Sequence, residues 1–328
     1  MMCIKHTCVI GIIAMYFGLA FTGPASTQTY PSRPITIIVP FPPGNNADIV
    51  ARFLADRLAT SLGQSVIVDH RPGGAGGTIG TKAVASADPD GYTLLLSSPN
   101  ALVVAPTIYK DLGYNPTKAF APVATLFSSP QMLAVNPTVP VKSIQELVIY
   151  AKANPGKISF ASPGYGTQPH LLGEALRLTT NITIVHVPYK GPAQAVTDLL
   201  AGQVQMYFET IAILLPHVEA EKLRALAVAD DFRSARLPDV PTTAESGFPR
   251  LKGTYWSGVL APAGTPANIV DKLNSKINEI LRTKELEANL AMVSAKPKIG
   301  SPQDFASFMA EETQKWKEII ESAGIKVD

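Results

Sequence analysis

Cysteine is the first scarcity. The 328-residue chain has two, Cys3 and Cys8, and both fall in a short apolar segment near the N-terminus. The rest has none, which excludes disulfides, thiol nucleophiles and cysteine-ligated metals together. Long hydrophobic runs are also missing: residues 8–21 give about 14, short of the roughly 20 that a membrane-crossing helix needs. Charged residues make up only 16%, and 28 Lys and Arg stand against 26 Asp and Glu. No basic stripe is present, so nucleic acid is not an expected partner. His70, His170, His186 and His217 show no metal-ligand spacing. Neither Gly-x-Ser-x-Gly nor His-Glu-x-x-His occurs, and no carboxylates pair visibly as acid and base. No metal, cofactor or catalytic constellation is expected.

What is present begins with a targeting signal. Lys5 precedes the apolar run and Gly23-Pro24-Ala25 follows it, which reads as a cleaved secretory signal peptide over residues 1–25. Neither cysteine stands at the end of the run, where a lipid anchor would attach, so a soluble, periplasmic product is expected. With 46% hydrophobic residues, the chain has room for about two lobes.

The pattern alternates strands and helices. The β-branched run Ile35–Val39 suits a strand buried on both faces, and Ile49, Val50, Phe53, Leu54, Leu58 and Leu62 predict a helix over 47–62. Strands over 66–68 and 92–96, with a glycine-rich turn and helix between them, complete βαβαβ, the seed of a doubly wound sheet. A second series begins at strand 131–135. Ser143-Ile144-Gln145-Glu146 is a capping box, and strands over 158–161, 183–187 and 204–208 alternate with helices over 170–178 and 192–200. From Arg224 the chain is expected to return to the first lobe. Helices are expected to start at Thr265-Pro266 and Ser301-Pro302, the latter capped by Gly324. The fold class is therefore α/β with two lobes, each a doubly wound sheet flanked by helices. Residues 26–125 and 233–328 form lobe I, residues 126–232 form lobe II, and crossovers near 125 and 232 permit hinge closure.

Two loops stand where a strand hands over to a helix, about 120 residues apart: Pro40-Phe41-Pro42-Pro43-Gly44-Asn45-Asn46 and Ser162-Pro163-Gly164-Tyr165-Gly166-Thr167-Gln168. Unpaired N–H groups at a helix start, with the helix dipole, favour an anion. The expected ligand is a small carboxylate gripped between the lobes. Candidate contacts are Phe41, Gly44, Asn45 and Asn46 in the first loop, and Gly164, Tyr165, Gly166 and Thr167 in the second, with Thr167 as a hydroxyl donor. Ser98 and Asn100 follow the third strand, and Gln131 opens the second series. Asp48 suits a structural cap. His170 reads either as a ligand group or as a packed capping residue, and Lys190 either meets a carboxylate or is simply solvated. The Pro72–Gly77 loop fits neither nucleotide template, since Thr81 follows Gly80 and Ile79 stands where a third glycine belongs.

The ordered set Tyr30-Pro31-Ser32-Arg33-Pro34-Ile35, Arg71-Pro72-Gly73-Gly74-Ala75-Gly76-Gly77, Asp88-Pro89-Asp90-Gly91-Tyr92, Val187-Pro188-Tyr189-Lys190-Gly191, Leu237-Pro238-Asp239-Val240-Pro241 and Ala261-Pro262-Ala263-Gly264-Thr265-Pro266 resembles one family. It is that of the periplasmic substrate-binding proteins of tripartite tricarboxylate transporters, the Bug family. The resemblance implies a Venus-flytrap fold, no enzymatic activity, and delivery of a carboxylated solute to membrane transporter subunits. It also implies that backbone amides around the two loops hold the carboxylate. Glu209 stands where the family usually has aspartate, and Asn45 and Asn46 replace small residues. Neutral donors at both ends, with Phe41 and Tyr165 nearby, suit a dicarboxylate with an apolar or aromatic middle, such as terephthalate. A monomer is expected. The rival readings are a ligand-presenting sensor for a membrane kinase and a periplasmic enzyme on a similar fold.

Overall fold

The computed structural model describes residues 29–43, 46–292 and 294–326. The expected signal peptide, Gly44, Asn45 and the Asn46 side chain lie outside them. The chain opens with β1 (Ile35–Val39), α1 (Asn46–Leu62), β2 (Val66–His70), α2 (Thr78–Ala85) and β3 (Thr93–Ser97). Short helices α3 (Ala105–Ile108) and α4 (Pro116–Ala119) lead to a 16-residue strand, β4 (Phe120–Val135). The middle of the chain holds α5 (Ile144–Ala153), β5 (Ile158–Ser162), α6 (Gln168–Thr180), β6 (Ile184–Pro188), α7 (Pro192–Leu200), β7 (Met206–Thr210), α8 (Ile211–Glu219) and β8 (Arg224–Val228). It closes with β9 (Thr254–Pro262), α9 (Ala267–Leu281), α10 (Lys284–Met292), β10 (Lys296–Pro297) and α11 (Pro302–Ala323).

The strand order is β2-β1-β3-β9-β4-β7-β5-β6, with β8 and β10 also on β4. Each half contains a parallel trio, β2-β1-β3 or β7-β5-β6, and antiparallel β9 and β4 join them. Sixteen residues extend roughly 50 Å, enough for β4 to serve both halves. Its pairing with β9 ends at Pro130↔Thr254, and its pairing with β7 begins at Gln131↔Thr210. Pro122 and Pro130 read as strand breakers, so the sequence pattern conceals the first part of β4. The structure accommodates the strand with bulges at Val123 and Leu126, which bend it and raise its twist.

The changes of sheet therefore fall later than expected. The first lies between Pro130 and Gln131 rather than near 125, and the return lies at Gly253–Thr254 rather than near 232. Instead of returning to the first sheet at Arg224, the chain forms β8, which pairs with Met132–Val135 of β4. Residues beyond it stay with the second sheet: Val228 bridges Thr242, and Gln145 of α5 donates through Nε2 to the Ser246 carbonyl at 2.6 Å. Helices α8 and α10 have no counterpart in the periodicity reading. The two crossings are stitched by Gln131 N to Gly253 O at 3.1 Å, Ala229 N to Gln131 O at 2.8 Å and Gly253 N to Ala229 O at 2.9 Å.

Three apolar clusters hold the layers. One lies between the first sheet and α1 and α9, and another between the second sheet and α7 and α8. The largest runs along the opposite faces of both sheets, where α11 inserts Phe305, Met309, Trp316 and Ile320. Helix α11 starts with a Ser301–Asp304 capping box and ends on Gly324 at φ 66°, as its sequence signals predict. Phe305 meets Trp256 of β9 edge to face at 5.6 Å, and both are buried. Phe305→Ala should cost about 3–5 kcal/mol. Because the cluster spans both sheets, urea denaturation should lose this stability in one cooperative transition; a loss below about 1 kcal/mol would contradict the packing.

Candidate functional site

The parallel strands of both halves end on the same region, where loops hand over to helices. On the first half, β1 is followed by Pro40–Pro43, and α1 begins at Asn46. Phe41 is half-buried against the α1 cluster. Asp48 in the first helical turn is buried, and its Oδ1 accepts from Arg52 Nε at 2.7 Å and His70 Nε2 at 2.9 Å. It is a structural carboxylate. The Pro72–Gly77 turn backs this loop: a Cβ at Gly77 would lie 2.8 Å from Pro40 Cβ, and one at Gly80 2.7 Å from the Arg71 carbonyl. Only glycine permits that approach.

At the end of β3, Ser97 and Ser98 are buried, and Asn100, half-buried, opens a single π-helical turn over Asn100–Val104. Ser98 lies close enough to the Tyr255 phenol to influence its ionisation. Burial pushes that phenol up to about 12; Ser98 pulls against the shift and nearby Glu209 adds to it. Tyr255 is therefore a protonated donor at neutral pH.

On the second half, the Ser162–Thr167 loop is internally bonded. Thr167 Oγ1 donates to the Gly164 carbonyl at 2.7 Å, so its proton serves the turn rather than standing free as the expected ligand donor. Ser162 Oγ accepts from Gly164 N at 3.1 Å, and Gly166 N donates to His170 Nδ1 at 3.1 Å. Gly164 and Gly166 sit at φ 130° and 71°, which side chains disfavour. Helix α6 then begins without a side-chain cap, and its first turn presents N–H groups with no intrahelical partner, apart from Pro169, which has none.

His170 is buried in an aromatic stack. Its ring lies 4.0 Å from that of His186, both stack on Phe160, and exposed Tyr165 meets them edge-on. Burial lowers His170 to about 3, with His186 adding to the shift, and lowers His186 to about 4. Both rings are neutral at neutral pH. Ser162 Oγ lies 2.6 Å from His186 Nε2, but Ser162 is fully buried and His186 Nδ1 has no described partner. The pair supports the loop and lacks the acid that would orient a catalytic base. Lys190 is exposed beside this loop, where the neighbouring Tyr189 carbonyl approaches Gly164.

Between the halves, buried Gln131 donates through Nε2 to Gln168 Oε1 at 3.2 Å, and Gln168 Nε2 donates to the Thr254 carbonyl at 3.2 Å. A carbonyl can only accept, so the direction of this chain is set, and Gln131 Oε1 is left as a buried acceptor without a described partner. Glu209 lies within β7 rather than after its strand. Its carboxylate accepts from the Tyr207 phenol at 2.6 Å and from Thr210 N at 2.7 Å. Burial raises its pKa against those two bonds.

Most of the described candidates thus fall into three groups: Ser98 with Tyr255 and Glu209, Gln131 with Gln168, and the Gly164–His170 turn; Phe41, Asn100 and Lys190 join none of these. Tyr255, Gln168 and Thr210 were missed by sequence reasoning. Gln168 stands in the quoted loop, but Tyr255 and Thr210 reach the site only through strand pairing. Among the described residues no cluster of three or more His, Asp or Glu could hold a metal ion, and no helix is long and apolar enough to cross a membrane.

The chain matches the family profile described as Tripartite tricarboxylate transporter family receptor over residues 50–325. It is 42% identical over 320 residues to Protein BugT of Bordetella pertussis, covering 97% of each chain. A solved R. palustris protein with adipate is similar at a TM-score of 0.79 and 34% identity, covering 91% of this chain and 100% of that one. MatC from Rhodopseudomonas palustris, with bound malate, is similar at 0.75 and 30%, covering 89% and 100%. The two-lobe α/β architecture is common to all of these structures.

The Glu209 environment predicts a pH effect. The native chain holds that proton to higher pH than the unfolded chain does. The associated stability is full below the ordinary carboxyl value of 4.5 and is lost as pH rises through the raised native value. Glu209→Gln removes this titration. In urea denaturation at a series of pH values, variant stability relative to wild type should climb as pH rises above 4.5; a flat difference would contradict a raised native pKa.

Proposed function

The chain belongs to the tripartite tricarboxylate transporter receptor family, and from that premise we propose that it is an exported solute-binding protein for a small dicarboxylate with an apolar or aromatic middle. Adipate and terephthalate represent the class. The observation that carries the reading is the chemistry between the lobes: an uncapped helix start, neutral hydroxyl and amide groups, and no arginine among the candidate residues. Such donors hold a carboxylate through charge-assisted hydrogen bonds without burying a second ion.

Each component has a part in this scheme. The α6 first turn receives one carboxylate, helped by the helix dipole. Tyr255, protonated at neutral pH and beside Ser98, supplies a phenolic donor. Glu209 favours its neutral form through burial, which reduces repulsion toward an anionic ligand. The adipate-bound relative supports a diacid with a methylene middle. A ligand touching both lobes stabilises closure only by its higher affinity for the closed state. The closed, loaded protein is then the form delivered to the membrane transporter subunits.

The test is thermal and calorimetric titration of the purified chain, freed of co-purified ligand, against adipate, terephthalate, malate and the corresponding diamides. At 100 times its dissociation constant, a bound acid should add about 2.7 kcal/mol of stability, while its diamide should add none. Equal shifts with the amides, or no shift with any acid, would overturn the reading.

A further inference from the structure

Beside the Ser98–Tyr255–Glu209 group lies a partly enclosed cavity of about 280 Å³, bounded by α1, β4, α10 and the start of α8. Its walls are apolar, chiefly Val50, Phe53, Phe127, Leu286 and Leu290. Tyr255, Thr210 and Ser129 form its polar side, and these residues also belong to the junction of the lobes. The Tyr255 phenol neighbours Ser98, the Thr210 amide donates to Glu209 Oε1 at 2.7 Å, and Ser129 precedes the change of sheet at Pro130. The cavity thus adjoins the candidate site at Tyr255 and Thr210.

Packed interiors leave few voids larger than a water molecule, and an apolar cavity of about 150 Å³ already holds benzene. This one is nearly twice that size and has both lobes in its wall, Thr210 and Ala212 from the second and Val50 and Phe53 from the first. We infer that it is the subsite for the ligand's apolar portion, so that the receptor selects acids carrying a ring-sized or longer hydrocarbon group over compact polar acids. The inference rests on the carboxylate reading above and names which carboxylates it favours. Tyr255 stands at the boundary, lining the cavity with its ring 6.3 Å from that of Phe127.

The experiment compares linear diacids from butanedioate to decanedioate, and phenylalkanoates of increasing length, by calorimetry on wild type, Val50→Trp and Leu286→Trp. These substitutions place a large side chain in the cavity from opposite walls. Burying a methylene is worth about a fourfold gain in affinity, so wild-type dissociation constants should fall by about that factor per added carbon until the cavity is full. Either tryptophan should weaken the long acids at least tenfold and change butanedioate less than twofold, which also reports that the variant is folded. Acids that bind with an affinity independent of length, or long acids that bind both variants as well as wild type, would overturn the subsite while leaving the carboxylate reading intact. Failure of every acid to bind wild type would overturn both.

Discussion

One strand must satisfy two sheets. β4 passes from β9 to β7 between Pro130 and Gln131, and the return at Gly253 lies directly beside it. Proline has no N–H to donate, so the ladder can break there without orphaning a donor. Gly253 packs so closely on α6 that a Cβ would lie 2.5 Å from Leu172. The waist between the halves is consequently narrow and specified by backbone contacts. The ends of β3 and β7 and the start of α6 converge around it, which is why the candidate ligand groups gather there.

The waist is not the only coupling. The cluster around α11 continues across both sheets, and Gly166 of the second half lies against Ile108 of α3, where a Cβ would come within 2.5 Å of its Cδ1. Closure about such a waist needs only a few backbone torsions to change, but it must also slide or preserve these contacts. Under the proposed closure, stability and ligand response would share one set of residues.

Electrostatically, the region pairs or disfavours its charges. Asp48 is held by Arg52 and His70, the His170–His186 stack is uncharged, and burial disfavours the ionised Glu209 carboxyl. A buried guanidinium would bring its own desolvation cost. Hydroxyls, amides and a helix start present donors without that cost, and they leave adjacent apolar wall available for hydrocarbon.

The sequence by itself determined the parallel βα units, the helix starts at Ser143 and Ser301, the α11 stop at Gly324 and the placement of the two glycine-bearing loops. These depend on β-branched runs, capping side chains and positive φ, all local. It also indicated Asp48 as structural and marked Gln131 and Ser98 as candidates, with Glu209 added by the family resemblance. Tertiary structure alone decided that β4 runs through two prolines, because bulges and paired neighbours on both sides supply what local propensity denies. It decided that β8 stays with the second sheet, since five residues carry no record of their partner. It assigned the Thr167 proton to Gly164, put His170 in a neutral stack, and brought Tyr255, 157 residues from Ser98 in sequence (255 − 98), to its side. Such contacts arise from strand register across the sheet, a long-range property that no local pattern encodes.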